Sequence, residues 1–331
     1  MSAGPRVAVV GAGGIGNVHL NAYRRAGAEL VAVADTNTDA ADSAAAAHGI
    51  VGFDDATVML DRVEPDLISV CTPPAMHAEL AIRALHAGVA VLCEKPMART
   101  VEECTAMAEA ATASGSLLTV GFCHRFQPEI AAIAQAINAG RIGTVLTYRN
   151  VFEGPLDGVE STWFSQPDLS GGGVLMDTCV HSVDLFRYLI GEVAQTRAVM
   201  SSTATGRGPA LSVEDSAMLT LRSVSGVLGV VEASWRTAPG EATVTVCGSD
   251  GRLELDYATM TLTALDPAGG REVVEVETAD RFVRQARHVL RRVADRQQPE
   301  VTPRDGIRAI EILRDAYASA QHGDTRKEPT T

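Results

Sequence analysis

The stretch Val7–Gly16, VAVVGAGGIG, decides the fold. Val7–Val10 is a short apolar run that reads as a strand. Glycines follow at 11, 13 and 16 in the order G-x-G-x-x-G, and Asn17–Ala26 then reads as a helix. A second apolar strand, Glu29–Ala34, ends in Asp35, 19 residues after Gly16. A spacing of roughly 20 separates the glycine turn from the ribose-binding acid in a dinucleotide-binding βαβ unit. Each part has a physical task. Gly11 makes the tight turn, Gly13 lets the backbone approach a pyrophosphate, and Gly16 lets helix and strand pack closely. Gly14 and Ile15 lie in the same turn as candidate cofactor contacts, and the N-terminus of the helix that follows offers free N–H groups and a dipole to phosphate. Asp35 accepts hydrogen bonds from ribose hydroxyls, with Thr36 beside it. A carboxylate there repels a 2′-phosphate, and Thr36, Asn37 and Thr38 bring no basic side chain. NAD is therefore the expected cofactor, with NADP as the second choice.

Working outward, the first part of the chain alternates strands and helices. Strands are expected at Val7–Val10, Glu29–Ala34, Leu67–Cys71, Val89–Cys93 and Leu117–Gly121, and helices at Asn17–Ala26, Thr38–His48, Ala75–Ala87 and Val101–Ser114. Short apolar strands between helices predict a parallel sheet covered on both faces. Beyond about Phe122 the pattern changes. Ser216–Arg222, Val227–Trp235, Thr243–Cys247 and Leu253–Asp256 read as strands joined by short turns, with Asp250-Gly251 as a hairpin turn. Helices are expected at Asp280–Arg296 and Arg304–His322. The fold class is thus an α/β Rossmann domain followed by an α+β domain on an open, largely antiparallel sheet. The expected division is residues 1–122 and 123–331, with the C-terminal helix packing back on the first domain.

Composition narrows the function classes. At 331 residues and 46% hydrophobic, the chain can bury two cores. No apolar run has the length of a membrane span and the N-terminus does not read as a signal peptide, so a soluble, cytoplasmic protein is expected. A net charge of −13 without a basic cluster argues against a nucleic-acid partner. Six scattered cysteines without a C-x-x-C pair read as reduced core thiols, and no metal site is expected.

A second informative run is Gly171–Gly191, GGGVLMDTCVHSVDLFRYLIG. At helical spacing, Leu175, Cys179, Val183, Phe186 and Ile190 form an apolar face, while Asp177, His181, Asp184 and Tyr188 form a polar one. The three glycines allow a close approach to the helix start, and Gly191 marks its end. Upstream, Glu94-Lys95-Pro96 follows a strand at the edge where ligands bind in parallel sheets. Thr72 and Pro73 follow another strand at that edge and His77 opens the next helix, so all three are candidate cofactor contacts together with Glu94 and Lys95.

GAGGIG, CTPPAMHAELAIRALHAGVAVLCEKP (71–96), GFCHRFQP (121–128) and the Gly171–Gly191 run occur in an order and spacing that resemble the Gfo/Idh/MocA family, named for glucose–fructose oxidoreductase and inositol dehydrogenase. The resemblance implies an NAD(P)-dependent oxidoreductase acting on CH–OH groups. By its motif positions, Lys95 polarises the reacting oxygen, His181 is the acid–base group, and Asp177 orients a hydroxyl or stabilises charge. It also implies homodimers or homotetramers built through the second-domain sheet. The family often has Asn where this chain has Cys123, which affects the local substrate contacts.

Lys95, His124, Glu153, Trp163, Asp177, His181 and Trp235 are the candidate substrate-binding residues, and they suit a small polyhydroxylated substrate: a cyclitol, a sugar or a sugar derivative. The acidic residues Glu153, Asp157, Glu160 and Asp168 raise an alternative, an amino-sugar or aminocyclitol (aminoglycoside-type) substrate. Further alternatives are an NAD-dependent glycosidase and a non-enzymatic NAD(H) sensor on the same fold.

Overall fold

The computed structural model describes residues 4–206 and 208–323. The chain divides into two compact units. The first takes the chain up to Gln127 together with Ala279–Ile310; the second takes Pro128–Thr278 together with the residues from Glu311 on.

The first unit begins β1 (Arg6–Val10), α1 (Gly14–Ala26), β2 (Glu29–Ala34), α2 (Thr38–His48), β3 (Val51–Phe53), α3 (Ala56–Val63), β4 (Leu67–Val70), α4 (His77–His86), β5 (Ala90–Cys93), α5 (Val101–Ser114) and β6 (Leu118–Val120). Its six strands are parallel, in the order β3-β2-β1-β4-β5-β6. The central strands β4 and β5 are apolar except for Ser69 and buried on both faces, as a parallel sheet covered by helices requires. The sequence reading missed β3 and α3. The strand is a three-residue, partly exposed edge with a glycine at its centre. The Asp55 cap of α3, which accepts from the Thr57 and Val58 amides, was the available signal.

The second unit contains α6 (Pro128–Asn138), β7 (Val145–Glu153), α7 (Pro167–Ser170) and α8 (Val180–Leu189), which is preceded by one wide π-helical turn over Leu175–Cys179. There follow β8 (Val193–Ser201), β9 (Ser216–Ser223), β10 (Leu228–Ser234), β11 (Glu241–Gly248), β12 (Gly251–Asp256), β13 (Thr261–Leu265) and β14 (Arg271–Val273). The eight strands form one sheet in the order β14-β13-β12-β11-β7-β10-β9-β8, antiparallel except for the parallel β7–β10 pair. One face is covered by α8: Phe186 meets Tyr148 edge-on at 5.4 Å. A Cβ at Gly229 would sit 2.6 Å from the Phe186 ring, which explains a glycine inside β10. On the opposite face Val199 pairs with Met218, and Leu228 and Val230 lie on the neighbouring strand; all four are exposed. The β11–β12 hairpin turns at Ser249 and Asp250, one residue earlier than expected, because both amides are held by the carbonyls of Thr144 and Ile142.

The last two elements among the described residues are α9 (Arg281–Asp295) and α10 (Pro303–Gly323). Val283, Ala286, Val289 and Leu290 of α9 are buried in one core with Val7, Val9, Leu20, Val33 and Leu67. The first turns of α10 belong to the same unit. A Cβ at Gly306 would meet Met97 at 2.5 Å, and Arg125 pairs with Asp305 at 3.0 Å. The sequence reading had placed the whole of Ala279–Ile310 after its domain break. Among the described residues no helix is long and apolar enough to cross a membrane.

Candidate active site

Adjacent strands β1, β4, β5 and β6 send their following loops out on one sheet edge, which gathers the first half of the candidate residues. After β1, Gly11 takes φ +98°, and a Cβ there would meet the Cys71 carbonyl oxygen at 2.5 Å. A Cβ at Gly16 would lie 1.8 Å from the Gly11 carbonyl oxygen, whereas one at Gly13 or Gly14 would meet nothing within 4 Å. The α1 N-terminus has no side-chain cap and no acidic residue in its first turn, so its amides remain available to an anion. Ile15 lies half-buried in that turn. Asp35 accepts from Ala12 N at 2.7 Å and from Asn37 N at 2.8 Å, which fixes its carboxylate beside the glycine turn with further lone pairs to spare. Thr36 next to it is exposed. Thr72 Oγ1, at the end of the neighbouring strand beside Pro73, is buried without a hydrogen-bond partner among the described residues. An open glycine cradle, an uncapped helix and this orphaned hydroxyl fit a dinucleotide.

The Lys95 loop is braced from beneath. Glu94 is 5% exposed, and its Oε1 lies 2.9 Å from His19 Nε2 while its Oε2 accepts from Lys95 N at 3.2 Å. His19 Nδ1 contacts Ser69 Oγ at 3.1 Å, and Ser69 in turn contacts the Tyr23 hydroxyl at 2.8 Å. Gly121 is a glycine because a Cβ would collide with the Glu94 carboxylate at 2.5 Å. His77 is fully buried, its ring between the carbonyls of Thr72 at 2.8 Å and Pro96 at 3.0 Å. Burial lowers its pKa against the pull of the two carbonyls, each of which favours a ring N–H. Glu94 and His77, which the sequence suggested as cofactor contacts, therefore tie the Thr72 and Lys95 loops together from inside the fold.

The His19–Glu94 pair has a testable pH signature. Burial disfavours the charged imidazole, but the Cys71 sulfur and the Glu94 carboxylate outweigh it and push His19 up to about 10. Burial likewise disfavours the Glu94 carboxylate, but His19 and then Lys95 hold it below the usual range. His19 thus contributes stability that is complete below the ordinary histidine value near 6.5 and is lost as pH rises toward about 10. The Glu94 contribution is complete above the ordinary value near 4.5 and is lost as pH falls below it. His19→Ala leaves a buried carboxylate uncompensated and is expected to cost about 3 kcal/mol or more near pH 6. Denaturant unfolding at several pH values should show this cost shrinking on the alkaline side; a cost that stays constant from pH 6 to about pH 10 would contradict the charged pair.

After β6, Cys123 is buried, and burial pushes its thiol up to about 11 against the pull of Arg281 and Lys95. Burial, followed by the charges of Arg281 and Lys95, drives His124 well below its ordinary value, so its ring is neutral. Arg281, the first residue of α9, lies close enough for its charge to act on the Cys123 thiol. The sequence reading missed it, because nothing local indicates that α9 returns to this unit.

In the second unit, Asp177 is at the centre of the π-helical turn and His181 in the first turn of α8, both half-buried. A π turn adds a residue to the ladder and re-aims what it carries, and such turns concentrate at functional sites. The uniform polar stripe expected from the sequence is broken: Asp184 is 1% exposed and belongs to the interior, because α8 is covered on nearly every side. Glu153 ends β7, and the residues after it run beside β10, with Leu156 N donating to the Trp235 carbonyl. Trp163 stacks on Phe164 at 3.9 Å, and Phe164 meets Trp235 edge-on at 6.1 Å. Trp235 is a buried core residue, which leaves half-buried Trp163 as the tryptophan with accessible surface. Arg236, next to Trp235, is committed to the fully buried Asp215 at 3.1 Å. Asp157, Glu160 and Asp168 are exposed.

Comparison with known proteins places these features. Residues 5–122 match the family model described as "Oxidoreductase family, NAD-binding Rossmann fold", and residues 130–254 match the GFO/IDH/MocA C-terminal domain. The chain belongs to the Gfo/Idh/MocA family of oxidoreductases, and its first unit is an NAD-binding Rossmann domain. It is similar to the D-apiose dehydrogenase of Paraburkholderia graminis, at 30% identity over 96% of this chain and 88% of that one. It is also similar to the inositol 2-dehydrogenase of Rhizobium meliloti, at 34% identity over 74% of each chain. Among solved structures it resembles levoglucosan dehydrogenase in complex with NADH and levoglucosan, with a TM-score of 0.89, 25% identity and coverage of 96% of this chain and 97% of that one.

Proposed function

We propose that this protein is an NAD-dependent dehydrogenase oxidising a secondary CH–OH of a cyclitol, sugar or sugar derivative. The observation that carries the reading is the shared sheet edge: the open glycine turn, Asp35, Thr72 and the braced Lys95 all follow neighbouring parallel strands. Bound NAD would supply the hydride acceptor for the alcohol carbon. Asp35 would hold ribose hydroxyls, and the uncapped α1 amides would hold the pyrophosphate. The Lys95 ammonium stabilises negative charge developing on the reacting oxygen. His181 takes the hydroxyl proton, a task suited to imidazole near neutral pH, and Asp177 orients a hydroxyl or stabilises the resulting charge. Relatives named for D-apiose, inositol and levoglucosan support a polyhydroxylated substrate. The reading is tested by following NAD reduction across a panel of cyclitols, sugars and amino sugars; bound cofactor without turnover on any of them would remove its support.

The open sheet face carries a second part of the proposal. Val199, Met218, Leu228 and Val230 are exposed on one face of adjacent strands, and we propose that this face packs against a second copy of the chain. Val199→Asp combined with Met218→Asp is expected to reduce the mass measured by light scattering to that of a monomer. An unchanged assembly would place any interface elsewhere.

A further inference from the structure

Two of the three glycines at 171–173, Gly172 and Gly173, make room for parts of this same chain, while Gly171 is the left-handed cap of α7. A Cβ at Gly172 would lie 2.0 Å from the Tyr317 hydroxyl, and one at Gly173 would lie 1.9 Å from the Glu214 carbonyl oxygen. Glu214 receives the entry to the π-helical turn almost alone. Its Oε1 accepts from Gly173 N at 3.0 Å and Leu175 N at 3.0 Å, and its main-chain carbonyl accepts from Val174 N at 2.9 Å. Three successive amides that a helix start leaves without intrahelical partners are thus satisfied by one residue. Tyr317 of α10 donates its hydroxyl to the same Oε1 at 2.7 Å.

Both ends of this latch are anchored. Asp215, next along the chain from Glu214, is in the buried ion pair with Arg236, and its carbonyl accepts from Trp235 N. Ser319, two residues beyond Tyr317, accepts from Ala198 N of β8 at 2.9 Å. The latch also reaches the functional turn directly, because Asp177 N donates to the Gly173 carbonyl at 2.9 Å. A carboxylate accepting several N–H and O–H bonds at a helix entry is further favoured by the dipole there.

We propose that Glu214, held by Tyr317, is a positioning residue that sets the π-helical turn carrying Asp177 and leading into His181. It touches no substrate; it fixes the path of the backbone on which those two side chains stand. The inference rests on the dehydrogenase reading for its effect on rate, but the geometry of the latch is independent of that reading.

The test uses the full chain with Glu214→Ala, Glu214→Gln and Tyr317→Phe. Glu214→Ala removes the acceptor and is expected to lower kcat by roughly ten- to a hundredfold, as an ångström-scale misplacement does, with NAD affinity and substrate KM within about twofold of the parent. Glu214→Gln keeps an oxygen acceptor for the two amides and should restore most of kcat. Tyr317→Phe, the mildest change, should lower kcat in the same direction by a few-fold. The His181 ring signal, assigned by NMR with a His181→Asn reference, is read in parallel. Its titration midpoint should move in Glu214→Ala and return in Glu214→Gln, whether or not a turnover substrate has been found. Unchanged kcat and an unchanged His181 midpoint in folded Glu214→Ala would overturn the proposal. So would equal losses in kcat, KM and NAD affinity that track loss of folded protein across all three variants. Absence of turnover in the parent with a moved His181 midpoint would sink the dehydrogenase reading and leave the latch standing.

Discussion

Lys95→Met is expected to lower turnover by roughly 10²- to 10³-fold while NAD still binds. Methionine keeps an unbranched apolar stem and loses the charge together with its N–H donors, so the change isolates the ammonium. The backbone that presents it is fixed by hydrogen bonds that do not involve the Lys95 side chain. Glu94 accepts from the Lys95 amide, His19 holds Glu94, and His77 grips the next carbonyl at Pro96. A loss of rate therefore reports on chemistry at the side chain rather than on a collapsed loop. Lys95→Arg should not restore the rate, because a planar guanidinium does not present a compact charge at the same point. His181→Asn is expected to cost roughly 10²- to 10⁴-fold as a lost acid–base group. The double variant should be little worse than the poorer single one if both act on one proton and one oxygen. Lys95→Met turning over within about threefold of the parent would refute the assigned role.

The second large effect falls on the glycine turn, where two neighbouring substitutions should behave differently. Gly16→Ala places a methyl 1.8 Å from the Gly11 carbonyl oxygen. Neither partner can yield: Gly11 is pressed against the Cys71 carbonyl on its other side, and Asn17 Nδ2 clamps the Ala12 and Gly13 carbonyls. The turn must open, so NAD affinity is expected to fall more than about 100-fold, equivalent to about 2.7 kcal/mol, together with a clear loss of thermal stability. Gly13→Ala differs because its methyl meets nothing within 4 Å and its φ of −70° suits any residue. Stability should stay near that of the parent, while NAD affinity falls because the methyl stands where the pyrophosphate must approach. Calorimetric titration with NAD beside thermal melts separates the two outcomes. Equal NAD affinity in Gly13→Ala and the parent would mean that the dinucleotide does not use this turn.

Much of the first unit was legible because its physics is local. Strands β1, β2, β4, β5 and β6 are apolar runs bounded by turns, and the glycine pattern with Asp35 is a short-range signature. The features that escaped are those decided at long range. The amphipathic spacing of α9 shows an apolar face at Val283, Ala286, Val289 and Leu290, but not which sheet that face covers. Arg281 beside Cys123 follows from the same return of the chain. Within Gly171–Gly191, the helix and its apolar face could be read, but the π-helical turn could not, since a one-residue change in the ladder leaves no compositional mark. Asp184 looked like a member of a polar stripe because periodicity does not distinguish a solvated face from one covered by other elements. The purpose of the glycine run was open in the sequence, and the partners that require Gly172 and Gly173, Tyr317 and Glu214, lie far along the chain.

The most direct test of the central claim is the absorbance of reduced nicotinamide during incubation with a panel of cyclitols, sugars and amino sugars, for the parent, Lys95→Met and His181→Asn. Each is run with NAD and with NADP. The account predicts that the parent reduces NAD, and NADP far more slowly, with at least one neutral polyhydroxylated substrate, and that both variants bind NAD but lose the activity. Bound NAD that no cyclitol or sugar reduces, or variants that turn over as the parent does, would contradict it.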